Sequence, residues 1–309
     1  MARAVVFAYH NVGVRCLKVL LAQGIEVQLL VTHKDSPGEA IWFDSVEQLA
    51  RKHALPVIAP EDPNTAALLA QIQALAPDFL FSFYYRRMLR LPLLAVPRLG
   101  AYNMHGSLLP KYRGRAPVNW AVIQGETETG ATLHQMVEKP DTGGVVGQMA
   151  VPIGPDDTAF DVFNKVAEAA GQVLELALPG LITGTVPVIA QNLAKGSYFG
   201  GRKPEDGRID WLKSARAIHN LVRGVAPPYP GAFTELDGKR LRVLRSRLGP
   251  DSGSGPPGPF FYAENGYCIA TCSDRSSLVL LEMELGGKPF TTGDFLALYG
   301  NRSMPLPAQ

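Results

Sequence analysis

Between residues 4 and 85, short strand-like runs, led by the continuous apolar AVVFAY, alternate with segments whose apolar residues recur at helical spacing. AVVFAY (Ala4–Tyr9), EVQLLVTH (Glu26–His33), LPVIAP and FLFSFYY (Phe79–Tyr85) are the runs. Val14–Gln23, closed by Gly24, then Asp44–His53 and Ala66–Ala76 are the helical segments. A strand that is apolar at every position is buried on both faces, which calls for a parallel sheet covered by helices above and below. The alternation therefore predicts an α/β fold with a Rossmann-like, mostly parallel sheet. The first turn reads YHNVGV and lacks the G-x-G-x-x-G that lets a backbone approach a pyrophosphate, so a dinucleotide cofactor is unsupported.

The pattern continues with a strand at Gly100–His105, a helix at APVNWAVIQG and strands at Thr129–Val137 and Val145–Ile153. A long helix follows, capped by Asp157 or Thr158 and stopped by Pro179–Gly180. Near residue 190 the periodicity fades into a Gly-rich polar stretch. Beyond a helix at Ala215–Val225 come short strands: GAFTEL, KRLRVLRSRL, GYCIATCS and SLVLLEMEL. These read as a small OB-like β-barrel. The expected domains are 1–190 (catalytic α/β), 191–204 (linker) and 205–309 (β-rich). KDSPGE and GPDSGSGPPGP (Gly249–Pro259) are loops by composition.

Composition narrows the setting. Three cysteines are too few for a secreted disulfide framework, and Cys268 and Cys272 lie four apart in an expected strand, where they cannot pair without bending it. No uninterrupted apolar run approaches the roughly 20 residues of a membrane span, and the first residues run straight into a strand. A cytoplasmic protein without membrane insertion is the expectation. The net charge is +2, and from residue 205 onward twelve Lys and Arg face eleven Asp and Glu, which argues against a nucleic-acid partner.

Two segments can carry chemistry. In YNMHGSLLPKYRGRAP, Asn103 and His105 sit two apart at the end of a strand, on one face and about 6–7 Å apart. An amide and an imidazole converging there can polarise a carbonyl while moving a proton. Gly106 and Gly114 permit unusual backbone angles, and Lys111, Arg113 and Arg115 add positive charge. In VEKPDTGG, Asp141 occupies a turn at the C-terminal end of a strand, where ligands of open α/β sheets tend to bind. Taken alone, the first segment reads as a capped strand end followed by a solvated basic loop in preference to a site, and the second as an ordinary Asp in a turn.

Together they form a compound pattern, N-x-H-x-S-L-L-P-x-x-R-G followed by D-x-G, which resembles the folate-dependent N-formyltransferase family. FAYHNVG, THKDSPGE, FSFYYR, QGETETG, PPYPGAF and the β-rich C-terminal region match in order, so the resemblance covers essentially the whole chain. It implies 10-formyltetrahydrofolate as formyl donor, a primary amine as acceptor and no metal. Asn103 would hold the oxyanion, His105 would shuttle the proton, and Asp141 would hold His105 and favour its charged form. The donor pocket would be walled by Arg87, Met88 and Leu89 on one side and by Val137, Glu138, Lys139, Pro140 and Asp141 on the other, with Arg115 nearby. Lys139–Pro140 and Arg87 depart from the family's usual residues; contacts made by backbone atoms would survive those changes.

Within the family, FAYHNVG and THKDSPGEAIWFDSVEQLA are similar to members that formylate UDP-4-amino-4-deoxy-L-arabinose for lipid A modification. A nucleotide-linked amino sugar is therefore the expected small-molecule acceptor. The alternatives are another UDP- or dTDP-linked amino sugar, or charged initiator tRNA bound through the barrel. No decarboxylase domain follows in this chain. Other conspicuous residues read as structural: His10, His33 and His53 share no site, His134 is a satisfied strand histidine, and Tyr84, Tyr85 and Trp120 are core aromatics. Arg202 and Lys203 form a solvated charge pair.

Overall fold

The computed structural model describes residues 1–35, 40–249 and 258–307. Residues 36–39 of the KDSPGE loop and 250–257 of the Gly249–Pro259 loop lie outside the described residues. The first part of the chain reads β1 (Arg3–Ala8), α1 (His10–Ala22), β2 (Glu26–Val31), α2 (Val46–Lys52), β3 (Val57–Ile58), α3 (Ala66–Leu75), β4 (Phe79–Phe83), α4 (Leu91–Leu94) and β5 (Gly100–His105). Next come β6 (Arg113–Gly114), α5 (Pro117–Ile123), β7 (Glu128–Gln135), β8 (Val145–Pro152), α6 (Ala159–Thr183) and β9 (Tyr198–Phe199).

Seven strands form one sheet in the order β3-β2-β1-β4-β5-β7-β8. The first five are mutually parallel, and β1 is buried along Ala4–Ala8, as its uninterrupted apolar run requires. Phe7, Leu29, Val31, Ile72 and Leu80 build one apolar cluster against it. At the other edge β7 runs antiparallel to β5, and β8 antiparallel to β7.

Thr158 caps α6, with its hydroxyl accepting from Asp161 N–H while Asp161 accepts in return. Pro179 does not stop this helix, which runs on to Thr183 and ends at Gly184 in the left-handed region. Proline removes one N–H and so deprives the carbonyl of Glu175 of its helix partner, but both residues are exposed, where solvent can take that partner's place. By length and composition α6 is apolar enough to cross a membrane, with 56% of its most apolar window buried. The sequence shows no such run because Asp161, Asn164, Glu168, Gln172 and Glu175 interrupt it at helical spacing. All five lie on the exposed face, while Val162, Val166 and Val173 are buried.

The rest of the chain gives α7 (Ala215–Gly224), β10 (Ala232–Leu236), β11 (Lys239–Leu248), β12 (Phe260–Glu264), β13 (Tyr267–Thr271), β14 (Ser277–Leu285), β15 (Lys288–Pro289), α8 (Thr292–Tyr299) and β16 (Met304–Pro305). Its antiparallel sheet, β10-β11-β14-β13-β12-β16, curls around Trp211, Phe261 and Phe295 as a barrel left open between β10 and β16. Strand β12 and helix α8 are additions to the sequence reading, α8 opening with a Thr291/Asp294 capping box. By compactness the chain divides into one unit of residues 1–117, 128–152 and 163–200, and a second of 118–127, 153–162 and 201–309. Within the second, Arg223 of α7 donates to the carbonyls of Gly154 and Asp157, and Asn119 donates to that of Gly224.

Candidate active site

Asn103 and His105 end β5 on one face of the first unit's sheet, as their spacing predicts. Antiparallel pairing sets His134 of β7 directly opposite Asn103 and Thr132 opposite His105. Asp141 arrives by another route than the strand-end rule suggests. Because β7 is antiparallel, its C-terminal end lies at the amino end of β5, where Met136 N–H donates to the Ala101 carbonyl. The loop beyond β7 then carries Asp141 back over the sheet face. There Asp141 Oδ1 lies 3.6 Å from His105 Nδ1 and 3.6 Å from His134 Nε2.

The loop is held from two sides. Asp141 Oδ2 accepts from Gly114 N–H at 2.9 Å, and Gln191 Nε2 donates to the carbonyls of Asp141 and Gly143 at 3.0 and 2.7 Å. Asp141 itself has φ +56°, a left-handed conformation that these bonds hold in place. Gly114 has φ +100°, and a Cβ there would run into the Phe199 carbonyl. Gly106, by contrast, is needed for space and not for its backbone angle: a Cβ would strike Tyr84 Oη.

His105 is 6% exposed, and its Nε2–H donates to the Tyr112 carbonyl at 2.8 Å. That carbonyl is fixed in turn, since Tyr112 N–H donates to Ser197 Oγ and Arg113 N–H to the Ser197 carbonyl. Nδ1 is thus the atom that can gain or lose a proton, and it faces Asp141. Asn103 Nδ2 lies 3.1 Å from His134 Nε2. His134, 1% exposed, donates Nδ1–H to the Gln135 carbonyl at 2.8 Å. Burial pushes its imidazole down to about 4, against the pull of the Asp141 carboxylate. Sequence reading took His134 for a structural residue. The signal that connects it to Asn103 is strand register, which spans residues 31 apart.

The expected donor-pocket residues fall on two exposed segments. Arg87 and Met88 are exposed after β4, whereas Leu89 is buried in the sheet's apolar cluster, with Met136 packed against the same cluster. Asn64 pins this segment, donating to the Met88 carbonyl at 3.0 Å and accepting from Arg90 N–H at 2.8 Å. Val137, Glu138, Lys139 and Pro140 form an exposed turn, and Arg115 is exposed with its N–H on the Phe199 carbonyl.

Elsewhere the structure departs from the sequence reading. His10 and His33 share one aromatic cluster, through His10 on Phe43, Phe43 against Tyr9 and Tyr9 against His33. Arg202 is packed over the Trp120 ring at 4.5 Å, and burial lowers its pKa. Cys16, Cys268 and Cys272 are buried free thiols.

A hydrogen-bond donor and a histidine whose second nitrogen faces a carboxylate are groups that can support acyl transfer. The family model described as "Formyl transferase" matches residues 5–178, and that described as "Formyl transferase, C-terminal domain" matches residues 202–300. The chain belongs to the formyl transferase family, and the chemistry of this class is formyl transfer.

Solved structures share the fold. An N-formyltransferase from Helicobacter canadensis, in complex with folinic acid and dTDP-3-aminofucose, is 20% identical with a TM-score of 0.68, over 94% of this chain and 100% of its own. WlaRD, a sugar 3N-formyl transferase in the presence of dTDP and 5-N-formyl-THF, is 19% identical with a TM-score of 0.68, over 90% and 97%. A sugar N-formyltransferase from a Shewanella species is 18% identical with a TM-score of 0.63, over 79% and 96%.

Proposed function

We propose that this chain transfers a formyl group from 10-formyltetrahydrofolate to the amine of a nucleotide-linked amino sugar, with UDP-4-amino-4-deoxy-L-arabinose as the acceptor. The observation that carries the reading is the convergence of Asn103, His105 and Asp141 on one face of the sheet. Attack of the neutral amine on the formyl carbon forms a C–N bond and a tetrahedral oxyanion. Collapse breaks the bond to N10, and the amine's proton ends on that nitrogen. Asn103 donates its remaining Nδ2–H to the oxyanion, a role that contributes about 2–4 kcal/mol in comparable sites. His105 takes the proton at Nδ1, because Nε2–H is committed to Tyr112, and returns it to the leaving nitrogen. Asp141, 3.6 Å from Nδ1, stabilises the imidazolium in between.

Arg87–Leu89 and Val137–Asp141 are the segments we assign to the donor, with Arg115 beside them. Asn64 holds the first in place, donating to the Met88 carbonyl and accepting from Arg90 N–H. Similar folds found with dTDP-3-aminofucose or dTDP support a nucleotide sugar as the acceptor. They also favour a second reading, in which the sugar is linked to dTDP. The basic strand β11 supports a small acceptor over tRNA, because at least three of its five cations are engaged. Arg242 pairs with Glu284 at 2.5 Å, Arg245 with Glu282 at 3.2 Å, and Arg240 lies on the Phe233 ring. Phosphate backbones bind cations that are free to release counterions.

The test incubates purified protein and 10-formyltetrahydrofolate with UDP-4-amino-4-deoxy-L-arabinose, with dTDP-linked amino sugars and with charged initiator tRNA. Formylation of the UDP sugar at the highest kcat/KM is expected. Activity on tRNA alone overturns the proposal.

A further inference from the structure

We propose that His134 is a positioning residue for formyl transfer: by accepting one N–H of Asn103 at its Nε2, it fixes which end of that amide faces the reacting centre. The inference rests on the functional reading above and deepens it.

An asparagine amide is nearly symmetric in shape, so its own packing does not decide whether nitrogen or oxygen points at a substrate. Here the decision is made by a chain of hydrogen bonds. The Gln135 carbonyl, 2.8 Å from His134 Nδ1, can only accept, so Nδ1 carries a proton. His134 is almost completely buried, and burial disfavours a second proton on the ring. Nε2 is then a bare lone pair. An amide that turned its oxygen to that atom would set two acceptors 3.1 Å apart, so the nitrogen must face it. One hydrogen of Nδ2 is spent on His134, and the other remains for the oxyanion.

The same tautomer settles how Asp141 is used. Its Oδ1 is equally far, 3.6 Å, from His134 Nε2 and His105 Nδ1. With no proton on His134 Nε2, nothing there competes for the carboxylate, whose charge serves His105. The groups facing the His134 ring are thus Asn103, Asp141, the Gln135 carbonyl and the His105 ring at 6.4 Å. A merely space-filling histidine would need neither the 3.1 Å contact nor a defined tautomer.

The test compares His134→Phe, which fills space but accepts nothing, with His134→Gln, whose Oε1 can stand in for Nε2. Steady-state kinetics use the acceptor that the wild type formylates. For His134→Phe, kcat should fall at least 20-fold with both KM values within twofold, and His134→Gln should recover most of that loss. In an Asn103→Ala background, His134→Phe should cost less than threefold more. An inert wild type overturns the functional reading and this inference with it. An active wild type whose His134→Phe variant stays within threefold, or whose two losses multiply, overturns the inference alone. Should the Phe variant fail to fold, nitrogen-15 NMR of the wild-type imidazole decides: Nδ1 protonated and Nε2 bare between pH 6 and 8 is expected, and a proton on Nε2 refutes the proposal.

Discussion

Replacing Asp141 by Asn removes one charge while keeping the shape of the site. The new side chain can still accept from Gly114 N–H through its oxygen, so the loop keeps its anchor. Its amide nitrogen then faces His105 Nδ1, where the carboxylate stood at 3.6 Å. Two effects follow. The imidazolium loses its counter-charge, which at this distance and an effective dielectric of about 20 is an attraction of about 4–5 kcal/mol. Both side chains retain some solvent contact, 7% and 12%, and desolvation offsets part of that gain, leaving about 2–3 kcal/mol. The amide N–H also donates to the Nδ1 lone pair and occupies the atom that must take the proton. The barrier should therefore rise by at least 2–3 kcal/mol, a fall in kcat of roughly 30- to 150-fold. Steady-state kinetics with saturating donor and acceptor read it directly. If kcat stays within threefold of wild type in a variant with an unchanged melting temperature, the proton does not pass through Nδ1 opposite Asp141.

Asn103→Ala should lower kcat by about 100- to 1,000-fold, the usual loss for one oxyanion donor, with little change in KM for the donor. Gly114→Ala forces a Cβ onto the Phe199 carbonyl at φ +100°, so it should destabilise by about 1–3 kcal/mol and lower kcat, seen in paired thermal melts and kinetics. Asp78 accepts from Arg3 N–H at 2.9 Å and pairs with Arg98 at 3.0 Å, bonds that hold its carboxyl below the usual 3.8. A depressed carboxyl stabilises the fold above the unfolded value, and that contribution is lost as pH falls through the folded value. Asp78→Asn should thus be less stable than wild type at pH 7, with the gap closing below about pH 4 in urea titrations.

Much of this was legible from residue patterns, for reasons that also mark where legibility stops. Strand β1 is apolar from Ala4 to Ala8 and β4 carries a single polar residue, Ser82, a pattern with few alternative homes, and the parallel half of the sheet follows. The pair Asn103 and His105 is local, two residues on one strand. Asp141 became connected to them only through the compound motif, because its approach depends on the direction of β7, and pairing direction leaves no mark on a strand's own composition. His134 was invisible as a partner for the same reason: only register places it opposite Asn103. Pro179 was misread because a proline's cost depends on whether the stranded carbonyl meets water. Strand β12 and helix α8 were passed over beside a Gly/Pro-rich loop that dominated the local composition.

The makeup of the second compact unit bears on the order of events during synthesis. Its members include residues 118–127 and 153–162, which leave the ribosome well before α7 and the barrel strands exist. The first unit's sheet is chemically complete once β8 has emerged, but Asn119 must wait for Gly224, and the carbonyls of Gly154 and Asp157 for Arg223. At about 5–20 residues per second, that interval lasts several seconds. For that time two stretches of nascent chain await hydrogen-bonding partners that are still to be translated.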